Sequence, residues 1–176
     1  CRRQMLILIA QEISHTRIEN RGDAMTVRLA GITVSGDKIT VVDAMVPKTG
    51  AIIINSDQTW KLQTGDRAAA YSAMYDRLTD YLKQHKIKGV IVKASAVSKG
   101  VSLAHLQAAE LRGAVFAAAA SITKTTGSAK AHISKTFGGR KVDEYLADNS
   151  FWTAQVGGVD LRNGSREAAL LLLAAR

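Results

Sequence analysis

The sequence is short of most devices that staple, anchor or rigidify a chain. It has a single cysteine, Cys1 at its extreme end, so neither an internal disulfide nor a cysteine-based zinc site can form. That scarcity fits a reducing compartment. It has a single proline, Pro47, and no stretch biased enough to act as a linker between domains. Aromatic residues make up 5% of the chain, which gives little basis for stacking single-stranded bases on aromatic platforms. The four histidines are His15, His85, His105 and His132. No two are four apart on one helical face, so a histidine metal site is not expected. Val97-Ser-Lys-Gly-Val-Ser102 lacks the glycine and Gly-Lys-Ser/Thr spacing of a phosphate loop. No nucleophile-elbow motif supports a serine triad.

Long hydrophobic runs are absent too. The two arginines and apolar run in Cys1–Ala10 are too short for a signal-peptide core or a bilayer span. A soluble, cytoplasmic protein without a membrane partner is therefore expected. Acidic residues are also scarce: 15 against 24 Lys and Arg, a net charge of +9. Such a balance suits a polyanionic partner, above all nucleic acid.

What is present is a core. Hydrophobic residues are 47% of 176, enough for one domain spanning residues 1–176. Met5–Ala10 reads as a buried strand. Met25–Val34 alternates as a second strand, and Ser35-Gly-Asp-Lys38 reads as a hairpin turn into a third strand, Ile39–Val46. Ala51–Asn55 reads as either a further short edge strand or an extension of the hairpin, and Asp57–Gly65 as loop. Asp66–His85 carries Tyr71, Met74, Tyr75, Leu78 and Leu82 in one stripe of helical period. Gly89–Ala94 is a continuous apolar run, the signature of a strand covered on both faces. Leu103–Ser121 is an alanine-rich helix capped by Ser102. Lys130–Ile133 reads as a last strand, Phe137–Lys141 as a basic loop and Val142–Asp148 as a short helix. Phe151–Gly158 is ambiguous, and Arg166–Arg176 is a helix whose Ala168–Ala175 run must be buried. The result is an α/β fold: a central mixed five-stranded sheet, with three antiparallel leading strands followed by alternating helix and strand, flanked by helices.

That element order is the order of the ribonuclease-H-like fold. Within it, Ala109-Glu-Leu-Arg-Gly-Ala-Val115 resembles the Ala-Arg-Gly helix of RuvC-type Holliday junction resolvases. His132–Lys141 is similar to that family's lysine-bearing segment and basic glycine loop, and Ser165–Ala174 resembles its closing helix. The resemblance implies a nuclease that works as a homodimer. It also implies about four carboxylates: one on the first strand, one at the end of the strand before the second helix, and two, three residues apart, at the closing helix. Together they would hold two Mg or Mn ions.

This chain departs from that set. It offers Gln11 or Glu12 at the first position, Lys93 at the second, and Gly164 and Glu167 at the last two. The candidate catalytic residues are Glu12, Glu167, Asp160 and Glu110, of which Glu12 and Glu167 are the candidate metal ligands. Lys93, Lys99, Lys135, Arg140, Lys141 and Arg166 are the candidate nucleic-acid contacts, since basic loops with nearby glycine suit a groove that tracks phosphates. The expectation is a non-catalytic or reduced RuvC-like nuclease that binds structured or double-stranded nucleic acid through a basic groove. The alternatives are an active Mg- or Mn-dependent endonuclease and a protein-interaction scaffold without nucleic acid.

Overall fold

The computed structural model describes residues 26–95, 100 and 102–176. The expected strand Met5–Ala10 and the candidates Glu12 and Lys99 lie outside them.

Among the described residues, three antiparallel strands come first: β1 (Val27–Ser35), β2 (Lys38–Val46) and β3 (Ile52–Lys61). The first two are the expected second and third strands. The turn between β1 and β2 is the expected hairpin, with Gly36 at φ +59°. The third strand of the meander is a correction. Asp57–Gly65 does not begin a loop, because β3 continues through Lys61. Ile52, Ile54 and Trp60 are buried while its other residues face outward or lie half-buried. After β3 come α1 (Arg67–Gln84), β4 (Gly89–Lys93), α2 (Leu103–Ala120) and β5 (Thr125–Ser128). Then follow α3 (Lys130–Thr136), α4 (Val142–Ala147), α5 (Asn149–Gln155), β6 (Val156–Gly158), a 3-10 turn (Asn163–Ser165) and α6 (Arg166–Ala174).

Among the described residues the sheet has six strands in the order β5-β4-β1-β2-β3-β6, against the five expected. Strand β6, three residues parallel to β3, falls in the stretch Phe151–Gly158. Lys130–Ile133 is the first half of α3 rather than a strand. The last strand of the central run is the polar β5, parallel to β4. Its backbone pairing alone places it there.

Each face of the sheet is covered. On one, Ala30, Ile32, Val41, Val90 and Val92 pack against Leu78 and Leu82 of α1 and Leu111 and Val115 of α2. On the other, Val42, Ala44, Ile54 and Ile91 pack against Leu170–Leu173 of α6, with Ile133, Tyr145 and Trp152 completing the layer. The central strands are apolar on both sides for this reason. Helix α6 is buried from Ala168 to Leu173, as its composition required. It lies unusually close to the sheet. A Cβ on Gly31 of β1 would overlap the backbone carbonyl of Ala168, so glycine makes that approach possible. Among the described residues, no helix is long and apolar enough to cross a membrane.

The entry to α6 is pinned by Asp57 of β3. Its carboxylate, 3% exposed, accepts hydrogen bonds from the Arg162 backbone N–H (3.0 Å), Nε (3.0 Å) and Nη2 (2.6 Å), and from Ser165 Oγ (2.5 Å). Burial alone would raise this carboxyl's pKa, but the Arg162 and Ser165 hydrogen bonds outweigh it and hold the pKa below the ordinary value of 3.8. A folded pKa below the unfolded one means that the contribution is complete above the ordinary value. It is lost as pH falls through the folded pKa. Urea unfolding between about pH 3 and pH 6 should therefore show a fall in stability at the acid end that Asp57→Asn flattens. An unchanged acid limb in the variant would remove Asp57 from this role.

Candidate nucleic-acid interface

Strands β1, β4 and β5 run parallel, so their carboxyl ends open at one end of the sheet. Alternation along β4 sends Val90 and Val92 toward α2 and Ile91 toward α6. Lys93 follows Ile91 on the α6 side, and Ser128 of β5 stands beside it in the ladder. Helix α6 brings Glu167 in its first turn to this same point. Lys93 Nζ lies 2.7 Å from the Glu167 carboxylate, with the two side chains 29% and 21% exposed.

Of the acids expected to gather with Glu167, Glu110 and Asp160 lie elsewhere, and Glu12 is outside the described residues. Strand β1, the strand beside β4, has the sequence Val-Arg-Leu-Ala-Gly-Ile-Thr-Val-Ser and carries no carboxylate. Glu110 is on the outer side of α2. There it accepts from Arg67 Nη2 (2.7 Å) and Tyr71 OH (2.8 Å) of α1, and the Tyr71 and Arg67 hydrogen bonds lower its pKa. It is a helix–helix clasp. Asp160 is exposed beyond β6, which borders β3 at the far edge of the sheet from β4 and β5. Gly164, three before Glu167, supplies no oxygen from a side chain. Among the described residues, no group of three or more His, Cys, Asp or Glu is placed to hold a metal ion.

The basic candidates divide. Lys130 donates to both oxygens of Asp143 (2.8 and 2.9 Å). Asp143 has its pKa lowered chiefly by Lys130, with smaller attractions from Lys93 and Lys141. Lys93, Lys130 and Lys141 therefore share one electrostatic neighbourhood. Lys135 is exposed at the end of α3. Arg140 pairs with Asp148 (3.1 Å) and lies over the Tyr145 ring at 4.7 Å. Asp148 is drawn down to about 2, first by Ser150, then by the Phe151 N–H and Arg140. Arg166 is committed to packing. It donates to the Leu146 carbonyl (2.8 Å) and Asn149 Oδ1 (2.7 Å) and lies over Trp152, tying α6 to the α4–α5 pair.

One residue at this end entered the sequence reading only as the arginine of the Ala-Arg-Gly resemblance and not as a candidate contact. Arg112 sits one helical turn from Ala108 and from Phe116, both packed on the core between α2 and the sheet. Its guanidinium donates to the Ser95 hydroxyl just past β4. The signal was there: a lone arginine within the apolar stripe of an otherwise buried helix face.

The comparisons with known proteins concern the fold. No family model matches the sequence, and no curated protein matches it. Among solved structures, it is similar to Thermus thermophilus RuvC, with a TM-score of 0.66 at 15% identity over 84% of this chain and 92% of that one. It is similar to T. thermophilus RuvC in complex with Holliday junction substrate, at 0.65 and 13% identity over 84% and 92%. It is also similar to the yeast mitochondrial Holliday junction resolvase Ydc2, at 0.59 and 11% over 84% and 77%. The chain thus has the RuvC-like form of the ribonuclease-H-like fold.

Proposed function

We propose that this chain is a nucleic-acid-associated protein of RuvC-like fold that binds structured or double-stranded nucleic acid at the carboxyl ends of β4 and β5 and lacks a two-metal cleavage centre. The observation that carries the reading is the ion pair between Lys93 and Glu167. Two-metal hydrolysis needs several hard oxygen donors around a shared pair of cations. Among the described residues, Glu167 is the carboxylate at the carboxyl end of β4, and it is neutralised by a lysine, which has no lone pair to offer when protonated. The donor set of the described residues does not fit Mg or Mn, so no metal-dependent step is assigned to it. A cationic end serves the opposite purpose. Lys141 offers positive charge to a phosphate backbone in place of metal ions, and Lys93 and Lys130 add theirs by exchanging Glu167 and Asp143 for phosphate. The solved complex of a RuvC with Holliday junction substrate and the net charge of +9 support this reading. A homodimer and a cytoplasmic location belong to the same proposal, the first being read by light scattering.

The test is paired binding and cleavage on branched, duplex and single-stranded DNA and RNA, in magnesium, manganese and chelator. Binding should fall steeply with salt and be indifferent to chelator, and no strand should be cut. Lys93→Gln should reduce the magnitude of the salt slope by about one unit. Metal-dependent cleavage abolished by Glu167→Gln would overturn the proposal in favour of an active endonuclease. Failure to bind any nucleic acid would leave a protein scaffold.

A further inference from the structure

Among the described residues, Arg112 is a charged group without a counter-ion. Its stem lies along the apolar stripe of α2 and its head is half-buried at the end of β4. Nε is buried and has no hydrogen-bond partner. Among the described residues no carboxylate pairs with it, and its one side-chain partner is the neutral hydroxyl of Ser95. Burial pulls its pKa below the ordinary value, with no opposing attraction to restore it. Arg28, by contrast, is matched by Asp43. Arg166 also has a buried Nε without a partner, but its two other nitrogens are taken by a carbonyl and an amide oxygen.

An uncompensated guanidinium that stays protonated in a low-dielectric site costs stability unless an anion completes it. Its planar fork presents parallel N–H donors at the spacing of two oxygens on a tetrahedral phosphate. Ser95 supplies a hydroxyl that can donate to the same group while accepting from Arg112. Its Cα lies at most about 7 Å along the chain from that of Lys93, which places a second cation within reach of a neighbouring phosphate oxygen.

We propose that Arg112 and Ser95 form a phosphate-binding site at the carboxyl end of β4 that holds one backbone phosphate of nucleic acid directly, without a divalent metal. The source of the phosphate rests on the nucleic-acid reading above; the anion site itself does not. The site explains why a charged residue persists within an apolar helical stripe. It also assigns to α2 a ligand contact beside its packing role.

The test uses Arg112→Gln, which puts a neutral amide with two N–H donors on a shorter stem and removes the charge, and Ser95→Ala, which leaves the guanidinium in place but unsupported. Two probes are titrated in chelator: a duplex or four-way DNA junction, and inorganic pyrophosphate followed by calorimetry. Arg112→Gln should weaken DNA binding about five- to tenfold near 0.1 M salt and reduce the salt slope by about 0.9. Ser95→Ala should weaken binding less, with the slope retained. Wild-type DNA binding with the same slope and affinity in Arg112→Gln would overturn the site and leave the proposed function standing. Pyrophosphate binding that depends on Arg112, with no DNA binding by the wild type, would uphold the anion site and overturn the proposed function. Loss of binding to neither probe on Arg112→Gln would sink the inference whatever the partner. Should Arg112→Gln fail to fold, Ser95→Ala decides: unchanged affinity for both probes is then the overturning result.

Discussion

Asp43→Ala should lower the unfolding free energy by about 3 kcal/mol, the low end of the range for removing one partner of a buried ion pair. Asp43 lies on β2 opposite Ala30, with its side chain fully buried. Alternation puts it on the face that packs against α1, where its strand neighbour Val41 is apolar. Its carboxylate takes two bonds from Arg28, Nε at 2.8 Å and Nη2 at 2.5 Å. It takes a third from Tyr81 OH at 3.2 Å and a longer one from Asn55 at 3.4 Å. Arg28 also donates to Nδ1 of His85 at 3.2 Å, and the His85 ring lies 4.2 Å from that of Tyr81. The network fastens β1, β2, β3 and the end of α1 to one anion. Burial is the first cause that raises the Tyr81 hydroxyl to about 12, so it remains a donor across the working range.

Removing the carboxylate strands a tyrosine hydroxyl and a guanidinium. Arg28 can partly rehydrate, since 29% of its side chain reaches water, and that is why the lower figure is chosen. Urea denaturation measures the loss. The double variant Arg28→Met/Asp43→Leu is the companion measurement. It removes both charges and should recover most of the stability, since apolar replacement of a buried pair is often neutral. A loss below about 1 kcal/mol in the single variant would mean that Tyr81 and Arg28 find other partners.

Gly31→Ala is the second large effect, expected at about 1–3 kcal/mol. The added methyl group would meet the Ala168 carbonyl and the Leu172 side chain. Both belong to the buried run of α6, which cannot give way as a flexible side chain does. The helix must lift from β1, and its N-terminal end carries Glu167. The same substitution should therefore loosen the Lys93–Glu167 pair at the sheet end. Gly113→Ala is the internal control. Gly113 lies within α2 with nothing near its missing Cβ, so alanine there should stabilise by up to about 1 kcal/mol. Opposite signs at the two glycines in thermal unfolding would separate close packing from backbone freedom. A gain at both would show that α6 does not press on Gly31.

These two sites differ in how openly the sequence displayed them. The long helix α1, the buried strand β4, the alanine-rich α2 and the apolar α6 were legible because each carries a period or an unbroken apolar run. The outer half of β3 was not. Ser56-Asp-Gln-Thr59 has no apolar member, and it is strand because β2 pairs with it. Strand β5, Thr125-Thr-Gly-Ser128, is hidden in the same way, and α3 has just one buried residue, Ile133, to betray its period. Lys93 and Glu167 could each be singled out by position in the element order. Their contact spans 74 positions of chain, and no local pattern encodes it. Asp43 was invisible as a buried charge because an acid within a strand of valines looks like any solvent-facing residue until its four donors are seen.

The Lys93–Glu167 pair also sets the terms on which this chain can change by mutation. Lys93→Glu on its own would face Glu167 with a like charge and no cation between them, a repulsive arrangement before it could be a useful one. Strand β1 and position 164 would each still need a carboxylate. A path toward a hydrolytic centre therefore descends in stability before any activity rewards it. Under the proposed function, a path toward tighter phosphate binding has no such valley, because each lysine or arginine added near β4 would raise affinity singly. The charge pair would then act as a ratchet at this end of the sheet.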